Sequence, residues 1–569
     1  MHKEEIFSLI KLIDKTNIDQ LKEISFTSDY LPIIFFIMTS YYENKSCTVS
    51  NLSFSNKIPF NTAKRKINNL INAKLIYRNT RLRNGKHIIF LPTPSLINIF
   101  ENYLNNIKNH IGNNFGINEN NTDSNNWYYG GKYFKSKTIP NPQKTILKNK
   151  HLKDIKFLVW ESSAFNFLKN YVKPLENLTN LKITFQKMKW DDLKREIITN
   201  GKNKFSKYDL VLYDSIWLAD LIHNKSILDI SEYILSEEFE LSDFYHEGMY
   251  ANRFENNYYG IPFQVTMHNL CYRKDIFLKK SLSSPENIFD IIKSLKILHK
   301  PEKNIYGISF TGAKGMHLGN FFCSLLGATF ETPLFNFKKV YKGYEIDNIK
   351  ISNLETNINN ENSIKALEFI KEIYQYGHPS ILNLTQGLQH NPFFKKEVCM
   401  AFIWSGMMGP VELDNMHPLY KKAETLPFPT FYKNQNHILP YGGFNIGIPK
   451  NISENKIKSI WNFLNFFTSS ESFKKIHSLG GICTPRFSLI KDPEITDHSK
   501  LTKDISNYSQ NHMLQNWMRP SLRNMELIYV ILTNEIREYL QNNISSKYVA
   551  QNLENKINKI IKNEANIRK

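Results

Sequence analysis

Basic side chains accumulate near the amino terminus without any acidic neighbour. Between Glu43 and Glu101 the sequence contains no aspartate or glutamate. The same interval holds the basic residues Lys57, Lys64, Arg65, Lys66, Lys74, Arg78, Arg81, Arg83 and Lys86. Lysine and arginine side chains that neutralise phosphates are the main source of affinity for nucleic acids. The stretch therefore favours a phosphate-binding surface, with a merely solvated basic face as the alternative.

Patterns that would carry catalysis or bind a metal are missing from the sequence. It contains no Walker loop, nucleophile elbow, HExxH or GxGxxG pattern. The pairs Asp191-Asp192 and Glu237-Glu238 are adjacent on the chain, so their carboxylates point to different faces and predict no acid–base pair. Without CxxC spacing, the scattered cysteines predict neither a zinc site nor a disulfide framework: Cys47, Cys271, Cys323, Cys399 and Cys483. We expect no enzyme, no cofactor and no metal.

The basic residues need a scaffold, and residues 51–77 have the pattern of helix, turn and helix. The second helix carries apolar residues at the spacing of one buried face: Ala63, Ile67, Leu70 and Ile71. Two strand-like runs follow, joined by Asn84-Gly85, the strongest short-range hairpin signal. We predict DNA contacts on the outward face of the helix and on the hairpin: Asn61, Thr62, Lys64, Arg65, Lys66, Asn69, Arg81, Arg83 and Lys86.

A helix–turn–helix followed by a basic hairpin resembles the winged-helix regulators of the MarR-like type, over residues 30–105. The resemblance implies a DNA-binding domain at residues 1–110, in which the second helix lies in the major groove. Because such domains usually read paired half-sites, it also implies a homodimer. The alternative is a winged helix that contacts another protein.

A change of composition separates this part from the rest of the chain. Residues 111–152 are dominated by asparagine, glycine and proline, and we expect a linker there because they cannot bury enough apolar surface. From Ile155 onward, short apolar runs at 155–160, 181–188 and 208–214 alternate with helical patterns. This alternation predicts βαβ units and a mostly parallel sheet.

The remainder, residues 153–569, resembles the family 1 extracellular solute-binding proteins, the sugar-binding class that includes maltose-binding proteins. Several segments occur in that family's order: WDDL (Trp190–Leu193), YDLVLYDSIWLADLI, YYGIPFQVTMHNLCYRKDIF (Tyr258–Phe277), KKEVCMAFIWSG, LPYGGFNIGIPKN and HSLGGICTPRFSL. The resemblance implies an α/β fold of the two-lobed, periplasmic-binding-protein-like type II. It places crossover strands near Pro262–His268 and Leu439–Gly443, with a ligand in the cleft between the lobes.

That resemblance also implies which residues face the ligand. A sugar requires flat aromatic rings against its C–H faces and a few convergent polar groups for its hydroxyls. We predict ligand contacts where strands or crossovers reach the cleft: Trp160, Glu161, Ser162, Asp214, Ser215, Trp217, Gln264, Thr266, His268, Trp404, Gly443, Phe444 and Arg486. Trp190 is assigned to packing, and His268 to hydrogen bonding.

The amino-terminal sequence leads us to expect a cytoplasmic protein without a membrane partner. Its first twenty residues interrupt every short apolar run with a charge, unlike a signal peptide. We therefore interpret the chain as a ligand-responsive transcription regulator that binds DNA and senses a small solute, most simply a sugar or oligosaccharide. The alternatives are the substrate-binding component of an ABC transporter for carbohydrate uptake, and a solute-binding fold that has become a protein-interaction module.

Overall fold

The computed structural model describes residues 28–42, 46–79, 88–115, 152–236, 239–340, 343–346, 349–491, 493–496 and 499–566. These residues form two compact units, one within residues 28–115 and the other within residues 152–566. The predicted DNA contacts Arg81, Arg83 and Lys86 lie outside the described residues, as does most of the predicted linker. Within the described ranges, no helix combines the length and the apolar character needed to cross a membrane.

The first unit contains four helices and one antiparallel strand pair: α1 (Leu31–Tyr42), α2 (Val49–Ser55), α3 (Phe60–Asn72), β1 (Ile76–Asn79), β2 (Ile89–Pro92) and α4 (Pro94–Phe115). Thr48 caps α2, because its Oγ1 accepts a hydrogen bond from the backbone N–H of Asn51 at 3.2 Å. The turn before α3 includes Lys57 in the left-handed region. Leu52 of α2 and Ile67 of α3 lie in one apolar core with α1 and α4.

Lys66 corrects the predicted outward face of α3. It is buried because, at three and four residues from Ala63 and Leu70, it belongs to the inward side of the helix. Its Nζ forms an ion pair with the Asp29 carboxylate, donates to the Asp29 carbonyl at 2.8 Å and lies 4.6 Å from the Tyr30 ring centre. Lys66 therefore ties α3 to the turn that precedes α1, which is occupied by Asp29 and Tyr30, and is not available as a DNA contact.

The second unit alternates strands and helices. Its strands are β3 (Asp154–Trp160), β4 (Lys182–Met188), β5 (Leu210–Asp214), β6 (Arg253–Phe254), β7 (Asn257–Tyr258), β8 (Ile261–Arg273), β9 (Tyr306–Ser309), β10 (Lys339–Val340), β11 (Gly343–Tyr344), β12 (Val398–Trp404), β13 (Ala423–Leu426), β14 (Leu439–Gly447) and β15 (Leu514–Gln515). The longer helices are α5 (Leu168–Thr179), α6 (Trp190–Gly201), α11 (Ile288–Leu298), α12 (His317–Phe330), α13 (Glu361–Tyr374), α16 (Glu454–Phe467), α17 (Ser470–Ser478), α19 (Lys500–Gln510), α20 (Met525–Gln541) and α21 (Ser546–Asn566).

Short helices connect these elements: α7 (Leu218–His223), α8 (Ser231–Ile234), α9 (His246–Tyr250), α10 (Lys274–Lys279), α14 (Asn391–Phe394), α15 (Gly409–Leu413) and α18 (Pro493–Thr496). Several 3-10 turns also follow strand ends, including Ser215–Trp217 after β5 and Ser405–Met408 after β12. The strand ends and these turns carry most of the residues discussed below.

Two long strands join the two halves of the main sheet, whose order is β4-β3-β5-β14-β8-β12-β9. On one side, β3 is parallel to β4 and β5, and β5 is antiparallel to β14. On the other side, β12 is antiparallel to β8 and parallel to β9. Strand β8 pairs with β14 over residues 261–267 and with β12 over residues 268–272. Both predicted crossover segments lie on these shared strands, β8 and β14.

Burial explains why the shared strands have few charges. All thirteen residues of β8 and all nine of β14 are buried, and the sequence of neither strand alternates between apolar and polar residues. A strand covered on both faces is expected to be apolar at successive positions. Gln264, Thr266 and His268 are buried polar residues on β8, and they are exceptions to this apolar pattern.

Candidate functional site

A small cavity lies where the shared strands meet the carboxyl ends of the parallel strands. Its volume is about 30 Å³. The lining combines three aromatic rings, three amide side chains and an ion pair with smaller residues and a methionine: Trp160, Ala164, Asp214, Gln264, Thr266, Gln386, Gln389, Trp404, Gly406, Met407, Gly443, Phe444 and Arg519. In open α/β sheets, ligands bind at this edge because loops from several strands converge there.

An ion pair between Asp214 and Arg519 forms one wall of the cavity. Asp214 is the last residue of β5, and its Oδ1 accepts from the backbone N–H of Ile216 at 3.2 Å, which shapes the following 3-10 turn. Its Oδ2 accepts from Arg519 Nη2 at 2.9 Å. Both side chains are at most 4% exposed, so the two charges compensate each other inside the protein. The pair brings together residues 305 positions apart in the chain.

Trp404, the last residue of β12, forms a second wall. The Arg519 guanidinium lies 4.8 Å from its ring centre, and the His268 ring stacks on it at 4.6 Å with an interplanar angle of 7°. Gly442 of β14 permits this packing, since a Cβ there would lie 2.4 Å from Trp404 Cζ3. Burial lowers the pKa of His268 to about 3, and the nearby Arg519 charge acts in the same direction. His268 is therefore neutral and supports Trp404 from behind.

Trp160 and Phe444 form the third wall. Their rings stack with centroids 5.1 Å apart, and the Trp190 ring packs edge-on against Trp160 at 5.1 Å. Trp217 lies behind Trp190 at 4.5 Å. The flat faces at the cavity are thus held in place by a larger aromatic cluster, in which Trp190 has the packing role that the sequence predicts.

Several polar atoms at the cavity lack a partner among the described residues. Nε2 and Oε1 of Gln389 are buried without a hydrogen bond to any described residue, as is Nε of Arg519. Gln386 is oriented by a hydrogen bond from its Nε2 to Asn320 Oδ1 at 3.0 Å, and Gln264 Nε2 donates to the Ile482 carbonyl at 3.3 Å. Buried polar groups are normally hydrogen-bonded, so unpaired ones at a cavity indicate a place for a polar ligand or water.

The cavity is too small for an organic ligand. A volume of about 30 Å³ holds only water, whereas pockets for drug-sized ligands measure roughly 300–1,000 Å³. An organic ligand can enter only if the surrounding elements separate. At this size the cavity accommodates water but no sugar.

The remaining predicted ligand residues do not line this cavity. Glu161 is exposed, and Ser162 is half-buried with its Oγ 3.8 Å from Met407 Sδ. Ser215 lines a neighbouring cavity and donates to Asp214 Oδ1 at 3.3 Å. Trp217 packs in the aromatic cluster, away from the cavity.

His268 and Arg486 correct the predicted site more strongly. His268 lies behind Trp404, and neither of its ring nitrogens has a hydrogen-bond partner among the described residues, so its predicted hydrogen-bonding role stays a prediction. Arg486 is 2% exposed and is bound by Glu240, Asp243 and the Thr468 carbonyl. Its guanidinium is fully used in joining these loops, because a buried charge must be paired.

Arg519, Gln386 and Gln389 were missed by the sequence analysis. Arg519 is the only charged residue between residues 511 and 522, apart from the titratable His512, and a lone charge in an apolar stretch is a usable signal. Gln386 and Gln389 lie in the loop before α14, where no periodicity marks them. No group of three or more His, Cys, Asp or Glu side chains in the described ranges could hold a metal ion. All five cysteines are buried free thiols.

Comparison with known proteins bears on this unit. The family model for bacterial extracellular solute-binding proteins matches residues 170–503, more than half of the 569 residues. The chain belongs to this family. The family consists of solute-binding proteins and not of enzymes, which agrees with the expectation from the sequence.

Solved structures agree with the family. A solute-binding protein of an ABC transporter from Agrobacterium radiobacter K84, in complex with ribitol, is 18% identical with a TM-score of 0.63, over 72% of this chain and 98% of that chain. Maltose-bound MalE3 from T. maritima is 17% identical with a TM-score of 0.60, over 72% of this chain and 99% of that chain. An ABC transporter solute-binding protein from Thermotoga lettingae TMO, bound with tagatose, is 17% identical with a TM-score of 0.60, over 72% of this chain and 100% of that chain. At these identities the likeness establishes the two-lobed α/β fold.

These findings change the balance between the interpretations of the sequence. The solute-binding resemblance and the two-lobed fold are confirmed. The comparisons favour the alternative interpretation, a binding component of transport, over the transcription regulator, which they do not support. The family match begins at residue 170, so the winged helix, its DNA contacts and the homodimer stay predictions.

Proposed function

We propose that the second unit is a binding protein for a sugar or sugar alcohol, which it holds in the cavity between the ion pair and the aromatic walls. The observation that carries this proposal is the combination of flat rings at Trp160 and Trp404 with unpaired polar atoms at Gln389 and Arg519. Rings suit the C–H faces of a sugar, and amide and guanidinium groups suit its hydroxyls. Similar proteins with bound ribitol, maltose and D-mannitol support this ligand class.

Binding would follow a change between open and contracted forms. The ligand can shift this equilibrium only by its higher affinity for one form. Because the contracted cavity holds only water, ligand entry requires Trp404 and Arg519 to separate from Trp160 and Asp214, or the lobes to part. In the open form, the Asp214 carboxylate offers an acceptor and the Arg519 guanidinium offers a donor to neighbouring hydroxyls.

A thermal-shift screen of the full chain tests the proposal. Ribitol, D-mannitol, tagatose and maltose are compared, and at least one should raise the unfolding temperature and bind in calorimetry. Asp214→Asn should weaken that binding by tenfold or more, since a hydrogen bond to a charged group is lost. The matched control is Asp192→Asn, which changes a carboxylate of α6 that is 46% exposed. If no sugar or polyol binds, or if Asp214→Asn binds normally, the proposal fails and a protein-interaction module is favoured.

Transport is the biological role that fits this binding activity best. A binding component of an ABC transporter works outside the cytoplasmic membrane, whereas a regulator works in the cytoplasm. Cell fractionation separates the two. Recovery of the chain outside the membrane supports transport, and recovery in the cytoplasm removes it.

A ligand-responsive transcription regulator is the second candidate, and one observation in the first unit favours it. On α3, Asn61, Lys64 and Arg65 are exposed along the helix, and Arg78 on β1 donates to Asn68 at 2.9 Å. A helix pair with an exposed basic face beside a strand pair is the arrangement of a winged helix that reads the major groove. A cytoplasmic location and a homodimer belong to this candidate.

Mobility-shift titration tests this second candidate. Arg65→Ala should weaken DNA binding and lower the slope of log affinity against log salt by about one, as expected for the loss of one phosphate contact. Arg195→Ala is the matched control, because Arg195 is an exposed arginine on α6 of the second unit. No DNA binding by the full chain, or an unchanged slope in Arg65→Ala, contradicts the assignment.

A further inference from the structure

A much larger cavity of the second unit lies outside the candidate sugar site. Its volume is about 990 Å³, and it shares no lining residue with the candidate site. Loops before β8, the strand β11 and the segment around β15 form its walls. The volume is at the upper end of the range for small-molecule pockets.

Aromatic rings and carboxylates dominate the lining of this cavity. The rings belong to Phe239, Phe244, Tyr250, Tyr258, Tyr344 and Trp517. The titratable side chains are Glu240, Glu247, Arg253, Glu345, His246 and His512. Three carboxylates therefore face one guanidinium and two imidazoles. Aromatic faces together with carboxylates attract organic cations, because the ring quadrupole and the anionic group act in the same direction.

Among the described residues, Glu247 is the carboxylate of this cavity without a cationic partner closer than His512. Glu240 is bound by Arg486 Nη1 at 2.9 Å, and Glu345 by Lys338 Nζ at 3.3 Å. Glu247 is 8% exposed, and its Oε2 accepts from Ser509 Oγ at 2.6 Å. The nearest basic group to its Oε1 is His512 Nδ1 at 3.9 Å, beyond hydrogen-bond reach.

Trp517 supplies an independent indication of a ligand. It is 3% exposed, lines the cavity and packs edge-on against Tyr344 at 4.9 Å. Its Nε1 has no hydrogen-bond partner within the described part of the chain. A buried indole N–H without an acceptor is uncommon in folded proteins. An occupant with an acceptor atom as well as a positive charge would satisfy both Trp517 and Glu247.

We propose that this cavity is a second binding site, which takes a small amine-bearing organic cation between Glu247 and the aromatic rings. The ammonium group pairs with the Glu247 carboxylate, and the remainder of the molecule lies against Tyr344 and Trp517. The site is separate from the candidate sugar site. A third, smaller cavity shares Tyr250 and Asn516 with the amine site and Arg519 with the sugar site.

The charge state of Glu247 predicts how binding depends on pH. Burial raises the pKa of this carboxyl to about 7. It is ionised above this value and neutral below it, so the ammonium should bind about tenfold more tightly at pH 8 than at pH 6. The titratable groups close to it are His512, His246, Tyr245 and Tyr441, and Ser509 is its hydrogen-bond donor.

Calorimetry on the full chain with ethanolamine, 3-amino-1-propanol and 4-amino-1-butanol tests the site, since each carries an ammonium group and an acceptor hydroxyl; 1,4-butanediol is the uncharged counterpart of 4-amino-1-butanol. We expect at least one amine to bind, 1,4-butanediol not to bind, and Glu247→Gln to remove both the binding and its pH dependence. Trp517→Phe, which keeps a ring but loses Nε1, should weaken binding severalfold. Saturating ribitol, D-mannitol, tagatose or maltose should leave amine binding unchanged, which distinguishes this site from the sugar site.

The opposite results overturn the proposal. Absence of binding by all three amines at millimolar concentration shows that the cavity takes no such cation. Equal binding in Glu247→Gln shows that the carboxylate does not hold the ligand. Competition between sugar and amine for binding places the cation in the sugar site.

Discussion

The ion pair between Asp214 and Arg519 should decide the stability of the second unit. Replacing Arg519 by methionine keeps most of the side-chain volume but leaves the Asp214 carboxylate, 4% exposed, without its cation. Breaking a buried pair from one side costs about 3–5 kcal/mol, because the remaining charge is uncompensated. The Arg519 contact with the Trp404 ring adds roughly 1–2 kcal/mol. Because the two contributions overlap, we expect a total loss of about 3–5 kcal/mol in the free energy of unfolding.

A double-mutant cycle separates the pair from these other effects. Asp214→Asn alone should also destabilise, whereas the double variant with Arg519→Met should lose less than the sum of the two single losses. The expected coupling energy is about 1–3 kcal/mol, in the range for residues that share a network. Asn cannot carry the charge, so the double variant buries no unpaired ion.

Denaturant unfolding followed by tryptophan fluorescence is the assay. Six of the seven tryptophans (all except Trp127) belong to the second unit, so the signal reports that unit, and Trp404 lies next to Arg519. Arg195→Met is the control, because Arg195 is 74% exposed and such surface changes stay within about 0.5 kcal/mol. A loss below about 1 kcal/mol in Arg519→Met, or simple additivity in the cycle, would refute the role assigned to the pair.

Three further results are expected. Gly442→Ala should cost about 1–3 kcal/mol and reduce sugar affinity, because its Cβ would lie 2.4 Å from Trp404; Gly387→Ala, with an ordinary 3.4 Å contact to Trp160, is the control in denaturation and binding assays. Lys66→Met should destabilise the first unit by about 1–3 kcal/mol in far-UV circular dichroism melts, whereas the exposed neighbour Lys64→Met should not. Burial lowers the pKa of His268 to about 3 and of His317 and His390 to about 4, so each contributes stability above its unfolded value of 6.5 that is lost as the pH falls; the expected loss is about 1.4 kcal/mol per pH unit for each imidazole. The raised pKa of Glu247 opposes this between about pH 7 and 4.5. His268→Phe should therefore make the fall from pH 6 to pH 4 shallower by about that amount per unit in denaturant titrations, and an unchanged slope contradicts a buried neutral imidazole.

Much of the second unit follows from local patterns. Strands at residues 154–160, 182–188 and 210–214 agree with the apolar runs predicted at 155–160, 181–188 and 208–214. Trp160 and Asp214 reach the candidate cavity because each is the last residue of a parallel strand, and such ends meet at one edge of a sheet. Gln264, Thr266 and Trp404 could be predicted for a similar reason, since they follow from the positions of the shared strands and of β12.

Other parts of the site could not be predicted in this way. Arg486 and Arg519 are both single arginines in apolar surroundings, yet one joins surface loops to the core and the other lines the cavity. Lys66 has a charged side chain of the kind usually found at the surface, but it occupies a core-facing position of its helix. Its partner Asp29 lies 37 residues away in the sequence. His268 differs from Thr266 by only two positions along β8, yet it is covered by Trp404 instead of facing the cavity.

The sequence alone therefore determined the α/β alternation, the family and most of the aromatic and acidic residues at the cavity, because periodic burial and strand ends are properties of short segments. Only the tertiary structure decided that Arg519 pairs with Asp214, that Gln389 has no hydrogen-bond partner among the described residues, and that a second cavity includes Glu247. The physical reason is that a buried charge or amide is defined by the one partner that reaches it. That partner is set by long-range packing, which no local pattern encodes.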